Sequence, residues 1–176
     1  MIITAGIYKG RKVTVPDESI VRPTLSKARE GIFNTLFSIT EFEGKTFLDM
    51  FSGSGIMGLE ALSRGFGEVL AVEKSPKVAR IIKENYRTLK LEPNLVVADS
   101  LKLKTDKKFD VIYIDPPYAS RIYEQTLEKI KKDGLLKEGG IVVLEHTEEI
   151  GWQKFAFKLL RQKNYSKKSV TFLTSC

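Results

Sequence analysis

The sequence contains one cysteine, Cys176, and one histidine, His146. A single cysteine excludes an internal disulfide and any zinc site that is built from several cysteine ligands. It also fits a reducing compartment, so we expect a cytoplasmic protein. With one histidine available, we expect His146 to have a structural role, and we expect no metal site.

Long hydrophobic runs are missing as well. No apolar stretch approaches the ~20 residues that are needed to span a bilayer. The first twelve residues, MIITAGIYKGRK, carry their charges after the apolar residues, which is the reverse of the order in a signal peptide. We therefore expect no membrane partner. The length of 176 residues suits one domain with a sizeable core.

Acidic residues are absent from residues 151–176, which hold six lysines and arginines. Residues 1–29 hold six basic residues against two acidic ones, so the net charge of +7 is concentrated at the two ends of the chain. A solvated face of lysines would explain this distribution. The alternative is a binding surface for a polyanion, because clustered basic residues attract phosphate backbones and release their counterions.

Strand and helix patterns alternate from Thr46 onward. We expect strands at 46–50, 68–73, 94–98, 109–114 and 140–145, with helices at 56–64, 76–90 and 121–133. The strands are almost continuously apolar, which is typical of a sheet buried on both faces. The alternation predicts a doubly wound, Rossmann-like α/β fold with a mostly parallel sheet.

The two ends of the chain add further predicted elements. Short strands at 2–8 and 12–15 are expected to form a β-hairpin around Lys9-Gly10. A helix is expected from Ser26 to about Ile39, because its apolar residues recur at helical spacing. The last residues predict an antiparallel pair of strands at 155–161 and 168–174.

Each of the five predicted parallel strands ends in an acid. In such sheets, ligands bind outside the carboxyl ends of the strands. One acid at this edge would be unremarkable as a helix cap, but five together predict a ligand site with several hydrogen-bond acceptors. These residues are Asp49, Glu73, Asp99, Asp115 and Glu145.

The loop after the first of these strands matches the pattern G-x-G-x-x-G, with Gly53, Gly55 and Gly58. With Glu73 twenty residues after Gly53, this would fit a dinucleotide site. However, Asp49 at the strand end would repel a pyrophosphate, whereas it would attract the amine and sulfonium of S-adenosylmethionine. We therefore favour S-adenosylmethionine over NAD, with Glu73 on its ribose hydroxyls and Asp99 on its adenine amino group.

The strand at 109–114 is followed by Asp115-Pro116-Pro117-Tyr118. The prolines make this segment stiff and leave its carbonyl groups free to face a ligand. Asp115 and the Pro116 carbonyl would accept the two hydrogens of an amino group and so favour its attack on a methyl group. Tyr118 would stack on a nucleobase. The sequence thus indicates methyl transfer to an amino group.

These segments resemble a known family. "DPPY" is similar to the [D/N]-P-P-[F/Y/W] motif of S-adenosylmethionine-dependent amino methyltransferases. "VRPTLSKAREGIFNTL" (21–36), "LDMFSGSGIMGLEALSRG" (48–65) and "IYKGRKV" (7–13) are together similar to the RsmD family of bacterial 16S rRNA guanine-N2 methyltransferases. The resemblance implies a seven-stranded class I methyltransferase fold and methylation of a guanine N2 in 16S rRNA of the small ribosomal subunit.

The resemblance also implies roles for individual residues. The catalytic set is Asp115, Pro116, Pro117 and Tyr118, and the cofactor-binding set is Asp49, Phe51, Gly53, Gly55, Glu73, Asp99 and Ser100. The substrate-binding set is Arg22, Thr24, Arg29, Lys9, Arg11, Lys12 and Tyr118. We expect one monomeric domain, in which residues 1–20 form a hairpin that contacts RNA and residues 21–176 form the catalytic core.

Three other functions remain open. A DNA adenine or cytosine amino methyltransferase is disfavoured because 176 residues leave no room for a separate target-recognition domain. A protein glutamine methyltransferase would usually carry asparagine at the position of Asp115, and it would not explain the basic ends. A nonenzymatic RNA-binding assembly factor would have no need of Asp115 and Tyr118.

Overall fold

The computed structural model describes residues 1–16, 23–117, 120–147, 149–165 and 168–176, without the side chains of residues 23–25, 120 and 121. This part of the chain contains four α-helices: α1 (Pro23–Phe37), α2 (Ile56–Ser63), α3 (Pro76–Thr88) and α4 (Ser120–Lys132). It contains seven strands: β1 (Thr46–Asp49), β2 (Glu68–Glu73), β3 (Leu95–Val97), β4 (Phe109–Ile114), β5 (Leu136–His146), β6 (Phe157–Tyr165) and β7 (Lys168–Ser175).

All seven strands form one sheet in the order β3-β2-β1-β4-β5-β7-β6. Strands β1 to β5 are parallel, whereas β7 runs antiparallel to both β5 and β6. The prediction of a mostly parallel, doubly wound sheet is confirmed. The strand order reverses between β1 and β4, and this reversal opens a crevice outside their carboxyl ends.

Two hydrophobic cores cover the two faces of the sheet. Successive residues of a strand point to opposite faces. In β1, Phe47 therefore packs into a core with Phe33 of α1, and Leu48 packs into a second core with Leu127 of α4. Because both faces are buried, the central strands are rigid supports for the residues at their carboxyl ends.

Helix α3 begins as its sequence predicts. Ser75 is the N-cap, its hydroxyl accepts a hydrogen bond from the Val78 amide at 3.4 Å, and Pro76 occupies the first helical position. The helix ends at Thr88, two residues before the predicted end. Helix α1 begins at Pro23 rather than at Ser26.

The predicted N-terminal hairpin is reduced to a single antiparallel bridge between Ile2 and Lys12. Strands at 2–8 and 12–15 would need the amides of this arm for each other. Instead, the amide of Thr4 donates to the carboxylate of Glu60 at 2.9 Å, and that of Ile7 donates to the Ser63 carbonyl at 2.8 Å. The amides of Ile3 and Val13 still donate across the arm to the Arg11 and Met1 carbonyls, so a short hairpin remains, but the bonds to α2 prevent the predicted strands at 2–8 and 12–15.

The antiparallel pair near the C-terminus is confirmed, with β6 and β7 slightly longer than predicted. Strand β7 pairs with β5 from Ile141–Thr174 to His146–Ser169. His146 is buried, and its Nε2 lies 2.8 Å from the Thr171 hydroxyl. In the described part of the chain, no helix is both long and apolar enough to cross a membrane.

Candidate active site

The sheet brings all five strand-end acids to one cavity. This cavity has a volume of about 610 Å³, a size typical of small-molecule sites. It opens at the carboxyl ends of the parallel strands, where the sequence predicted a ligand site. The acids that line it are Asp49, Glu73, Asp99, Asp115 and Glu145.

The glycine loop between β1 and α2 forms one wall of the cavity. Gly53 and Gly55 have φ angles of 53° and 79°, a region that residues with a side chain rarely adopt. Gly58 is required for another reason, because a Cβ atom there would lie 2.8 Å from both the Val69 side chain and the Tyr86 hydroxyl. The loop therefore needs its glycines for its turn and for the packing of α2 on β2.

Glu73 connects the glycine loop to the next loop. Its Oε2 accepts a hydrogen bond from the Gly53 amide at 2.9 Å, and its Oε1 accepts one from the Ser75 amide at 2.7 Å. A carboxylate oxygen has two lone pairs, so Glu73 retains acceptor capacity toward the cavity. It is therefore placed both to fix the loop and to receive hydroxyl groups.

Asp49 is buried at the end of β1, with a side chain only 1% exposed. Neither carboxylate oxygen has a hydrogen-bond partner among the described residues. Burial, followed by the negative charges of Asp115 and Glu73, raises the pKa of Asp49 to about 7, although the nearby Phe51 amide and Ser52 hydroxyl act to lower it. A buried carboxylate without a hydrogen-bond partner among the described residues is costly, and it suits a cationic ligand.

The remaining residues that were predicted to bind the cofactor differ in whether their side chains are open to the cavity. Phe51 lines the cavity. Asp99 accepts a hydrogen bond from the Leu101 amide at 3.0 Å and lies 3.7 Å from the Lys74 ammonium. The Ser100 hydroxyl donates to the Met50 carbonyl, so this side chain is occupied within the protein. Gly55 shapes the loop and is absent from the cavity lining.

Asp115 follows β4 directly and lines the cavity with Pro116 and Pro117. About a third of its side chain (35%) remains exposed. Burial, followed by the negative charge of Glu145, raises the pKa of Asp115 to about 7 even though the ammonium of Lys168 acts to lower it. Because the carboxylate is partly open, water in the cavity screens these charges.

Lys168 is a site residue that the sequence analysis did not identify. It begins β7, and its Nζ lies 2.6 Å from Glu145 Oε1 and 3.3 Å from Asp115 Oδ2. Glu145 also accepts a hydrogen bond from the Tyr113 hydroxyl at 2.5 Å. Only the antiparallel direction of β7 brings Lys168 to this edge, and the sequence showed this residue merely as one of several C-terminal lysines.

The predicted substrate residues are dispersed. Lys9, Arg11 and Lys12 are exposed on the N-terminal arm, outside the cavity lining. Arg29 reaches the cavity wall but is 3% exposed, and its Nε donates to Glu60 at 3.1 Å. Its guanidinium is committed to the protein interior, which favours a structural role over the predicted RNA contact.

The side chains of three residues that were predicted to contact the substrate lie outside the described part of the chain. Arg22 and Tyr118 lie outside the described residues, and Thr24 is described without its side chain. Their assignments stay predictions.

Comparison with known proteins places the chain in a family. A family model described as "Conserved hypothetical protein 95" matches residues 1–174. A putative rRNA methyltransferase, YlbH of Bacillus subtilis, is 34% identical over 157 residues, which cover 85% of this chain and 84% of that protein. Ribosomal RNA small subunit methyltransferase D of Escherichia coli is 32% identical over 152 residues, which cover 85% of this chain and 76% of that protein.

A solved structure agrees with these sequence relatives. The putative methyltransferase yhhF from Escherichia coli superposes with a TM-score of 0.84 and 25% identity, covering 98% of this chain and 96% of that one. The chain therefore belongs to the conserved hypothetical protein 95 family, the family of ribosomal RNA small subunit methyltransferase D.

Proposed function

We propose that the protein transfers a methyl group from S-adenosylmethionine to the exocyclic N2 amino group of a guanine in 16S rRNA of the small ribosomal subunit. The observation that carries this proposal is the meeting of the unpartnered Asp49 carboxylate and the Asp115-Pro116-Pro117 segment in one cavity. The first suits a cationic methyl donor, and the second suits an amino group. The protein acts as a cytoplasmic monomer.

The residues around the cavity fit S-adenosylmethionine. Asp49 would face its ammonium group, and Glu73 would receive its ribose hydroxyls. The Asp99 carboxylate, which is 34% exposed, would receive its adenine amino group. When bound, this cofactor supplies an electrophilic methyl group on a sulfonium. A pyrophosphate would instead meet the acids at the mouth of the glycine loop, which disfavours NAD.

Asp115 and the Pro116 carbonyl would hold the substrate. An aromatic amine is a poor nucleophile because its lone pair is delocalised into the ring. Two acceptors that bind both N–H groups favour a pyramidal nitrogen with a localised lone pair, and they also fix its direction. The proton that this nitrogen then loses passes to the Asp115 carboxylate or to water.

The substrate class is tested by a methyl-transfer assay. Labelled S-adenosylmethionine is incubated with the protein and with undermethylated small subunits, naked 16S rRNA, DNA or a release factor in separate reactions. We expect label in the rRNA, with assembled subunits the better substrate. Label in DNA or in the release factor, and none in rRNA, would refute the proposal in favour of one of the rival functions.

Cofactor affinity should depend on pH through Asp49. A cationic ligand stabilises the ionised carboxylate, so binding lowers the Asp49 pKa from about 7 and releases a proton. The affinity should therefore rise from about pH 5.5 to about pH 8 and then level off. Calorimetry in buffers of different ionisation enthalpy measures both the affinity and the proton release.

The variant Asp49→Asn isolates this contribution, since titration of the ligand itself is common to both proteins. We expect weaker binding and a flatter pH dependence. An Asp49→Asn protein that keeps the wild-type slope would show that another group releases the proton.

Strand β6 offers a surface for RNA at the edge of the sheet. Arg161 pairs with Phe172 and Lys163 with Val170, so both cations lie on the sheet face that carries α1. Lys158 lies on the same face. The three side chains are exposed, and none has a side-chain partner among the described residues. We infer that this row, with the exposed cations of the N-terminal arm, contacts phosphates of rRNA.

Charge reversal tests this surface. The triple variant Lys158→Glu, Arg161→Glu, Lys163→Glu should bind 16S rRNA more weakly, and the slope of log affinity against log salt should fall by about 2–3. The matched control reverses Arg80, Lys83 and Lys90, which are exposed on and after α3 near the opposite sheet edge. If both triple variants weakened rRNA binding equally, the basic residues at the two ends of the chain would be better explained as a solvated face of lysines.

A further inference from the structure

The direction of β7 places an ammonium group beside the proposed catalytic carboxylate. Strands β1 to β5 present their carboxyl ends to the cavity, and the antiparallel β7 presents its first residue, Lys168, to the same edge. The Lys168 Nζ lies 3.4 Å and 3.3 Å from the two Asp115 oxygens and 2.6 Å from Glu145 Oε1. The ammonium is thus shared between two acids.

Glu145 holds this ammonium in place. Its side chain is only 7% exposed. Its second carboxylate oxygen accepts the Tyr113 hydroxyl at 2.5 Å, and its main-chain carbonyl accepts the Tyr123 hydroxyl at 2.7 Å. Because β4, β5 and α4 all fix Glu145, Lys168 has a rigid anchor, and its shorter contact is with this anchor rather than with Asp115.

Most of the charged groups near Asp115 are acids, so the positive charge of Lys168 has a large effect on the Asp115 carboxylate. Asp49 at the end of β1 and Glu145 on β5 are acids that line the same cavity, and Tyr113 on β4 carries a neutral hydroxyl. Arg29 of α1 also reaches the cavity wall, but Glu60 neutralises it. Among the described groups that face Asp115, Lys168 is therefore the cation that offsets the negative charge of its neighbours.

We propose that Lys168, anchored by Glu145, is a positioning residue that orients the Asp115 carboxylate and preserves its charge for the substrate amino group. The inference rests on the proposed role of Asp115 as an acceptor. A protonated Asp115 has one acceptor fewer and would present a hydrogen to the substrate amine. Loss of Lys168 would favour this protonated form, because burial and Glu145 already act in that direction.

The test compares Lys168→Met with Lys168→Arg, using saturating S-adenosylmethionine and undermethylated small subunits. In Lys168→Met, the acid limb of the profile of kcat against pH should move upward by about one pH unit. This shift corresponds to an about fivefold loss at pH 7 that is regained near pH 9. Lys168→Arg should keep the wild-type limb. An unmoved limb in Lys168→Met, or an equal loss at every pH, would overturn the inference.

Glu145→Gln provides a test of opposite sign. The glutamine oxygen can still accept a hydrogen bond from Lys168, so the anchor is kept while the negative charge that favours protonation of Asp115 is removed, and the acid limb should move to lower pH. An upward shift in this variant would contradict the inference.

A readout without catalysis separates this inference from the proposed function. Carboxyl ¹³C NMR of the cofactor-free protein, with Asp115→Asn to assign the signal, should show a higher titration midpoint for Asp115 in Lys168→Met than in wild type. Equal midpoints would overturn the role of Lys168 whatever the substrate. If the wild-type protein methylated no rRNA while Lys168→Met still showed the higher midpoint, the proposed function would be refuted and the role of Lys168 would stand.

Discussion

Replacing Asp115 with alanine is expected to lower kcat by about 10²–10³-fold while largely sparing the affinity for S-adenosylmethionine. Asp115 lies at the end of β4 beside the two prolines, on the side of the cavity proposed for the substrate amine. Its carboxylate is an acceptor that acts most strongly as the nitrogen accumulates charge, so its loss affects turnover rather than cofactor binding. Single-turnover methyl transfer and calorimetry measure the two quantities separately.

Two further variants sharpen this experiment. Asp115→Asn retains one acceptor oxygen and should keep more activity than Asp115→Ala. Asp106→Ala removes an exposed carboxylate that is absent from the cavity lining, and it should behave as wild type. If Asp115→Ala lost cofactor binding and turnover to the same extent, the division of roles between Asp49 and Asp115 would be wrong.

Replacing Glu60 with glutamine is expected to lower the free energy of unfolding by about 3–5 kcal/mol. The Glu60 side chain is fully buried in α2 and is paired with Arg29 at 3.1 Å and Arg64 at 2.9 Å. It also accepts hydrogen bonds from the amides of Thr4 and Ala5. The substitution would leave the Arg29 guanidinium buried without its counter-charge and would weaken the attachment of the N-terminal arm.

Denaturant titration measures this loss against a matched control. Glu84→Gln also breaks a glutamate–arginine pair, the exposed one between Glu84 and Arg87, so its effect should stay below about 0.5 kcal/mol. A change of comparable size in both variants would show that the buried pair does not anchor the arm.

Much of the fold could be predicted because the central strands and helices are specified locally. The strand that ends at Asp49 is an apolar run followed by glycines, and Ser75-Pro76 specifies a helix start by its own hydrogen bond and ring. The five strand-end acids could be placed in one site because parallel strands end at a common edge. The family resemblance supplied the guanine and the rRNA.

Other features depend on contacts between distant residues, which no local pattern reveals. The sequence of the N-terminal arm predicts a hairpin, but several of its amides bind Glu60 and Ser63, more than fifty residues away. Arg29 lies in the segment 21–36 that resembles the RsmD family, yet its guanidinium donates a hydrogen bond to the same buried Glu60. Lys168 reaches Asp115 only because β7 inserts antiparallel beside β5. The contacts of these residues are determined by packing and strand direction rather than by sequence spacing.

The central claim is that this cavity directs methyl transfer to the amino group of a guanine in small-subunit rRNA. Its most direct test is to react undermethylated small subunits with the protein and S-adenosylmethionine, digest the rRNA and identify the modified nucleoside and its position by mass spectrometry. The account predicts N2-methylguanosine at a single position of 16S rRNA, formed by wild type and not by Asp115→Ala. A methylated adenine or cytosine, or a product that Asp115→Ala forms equally well, would contradict it.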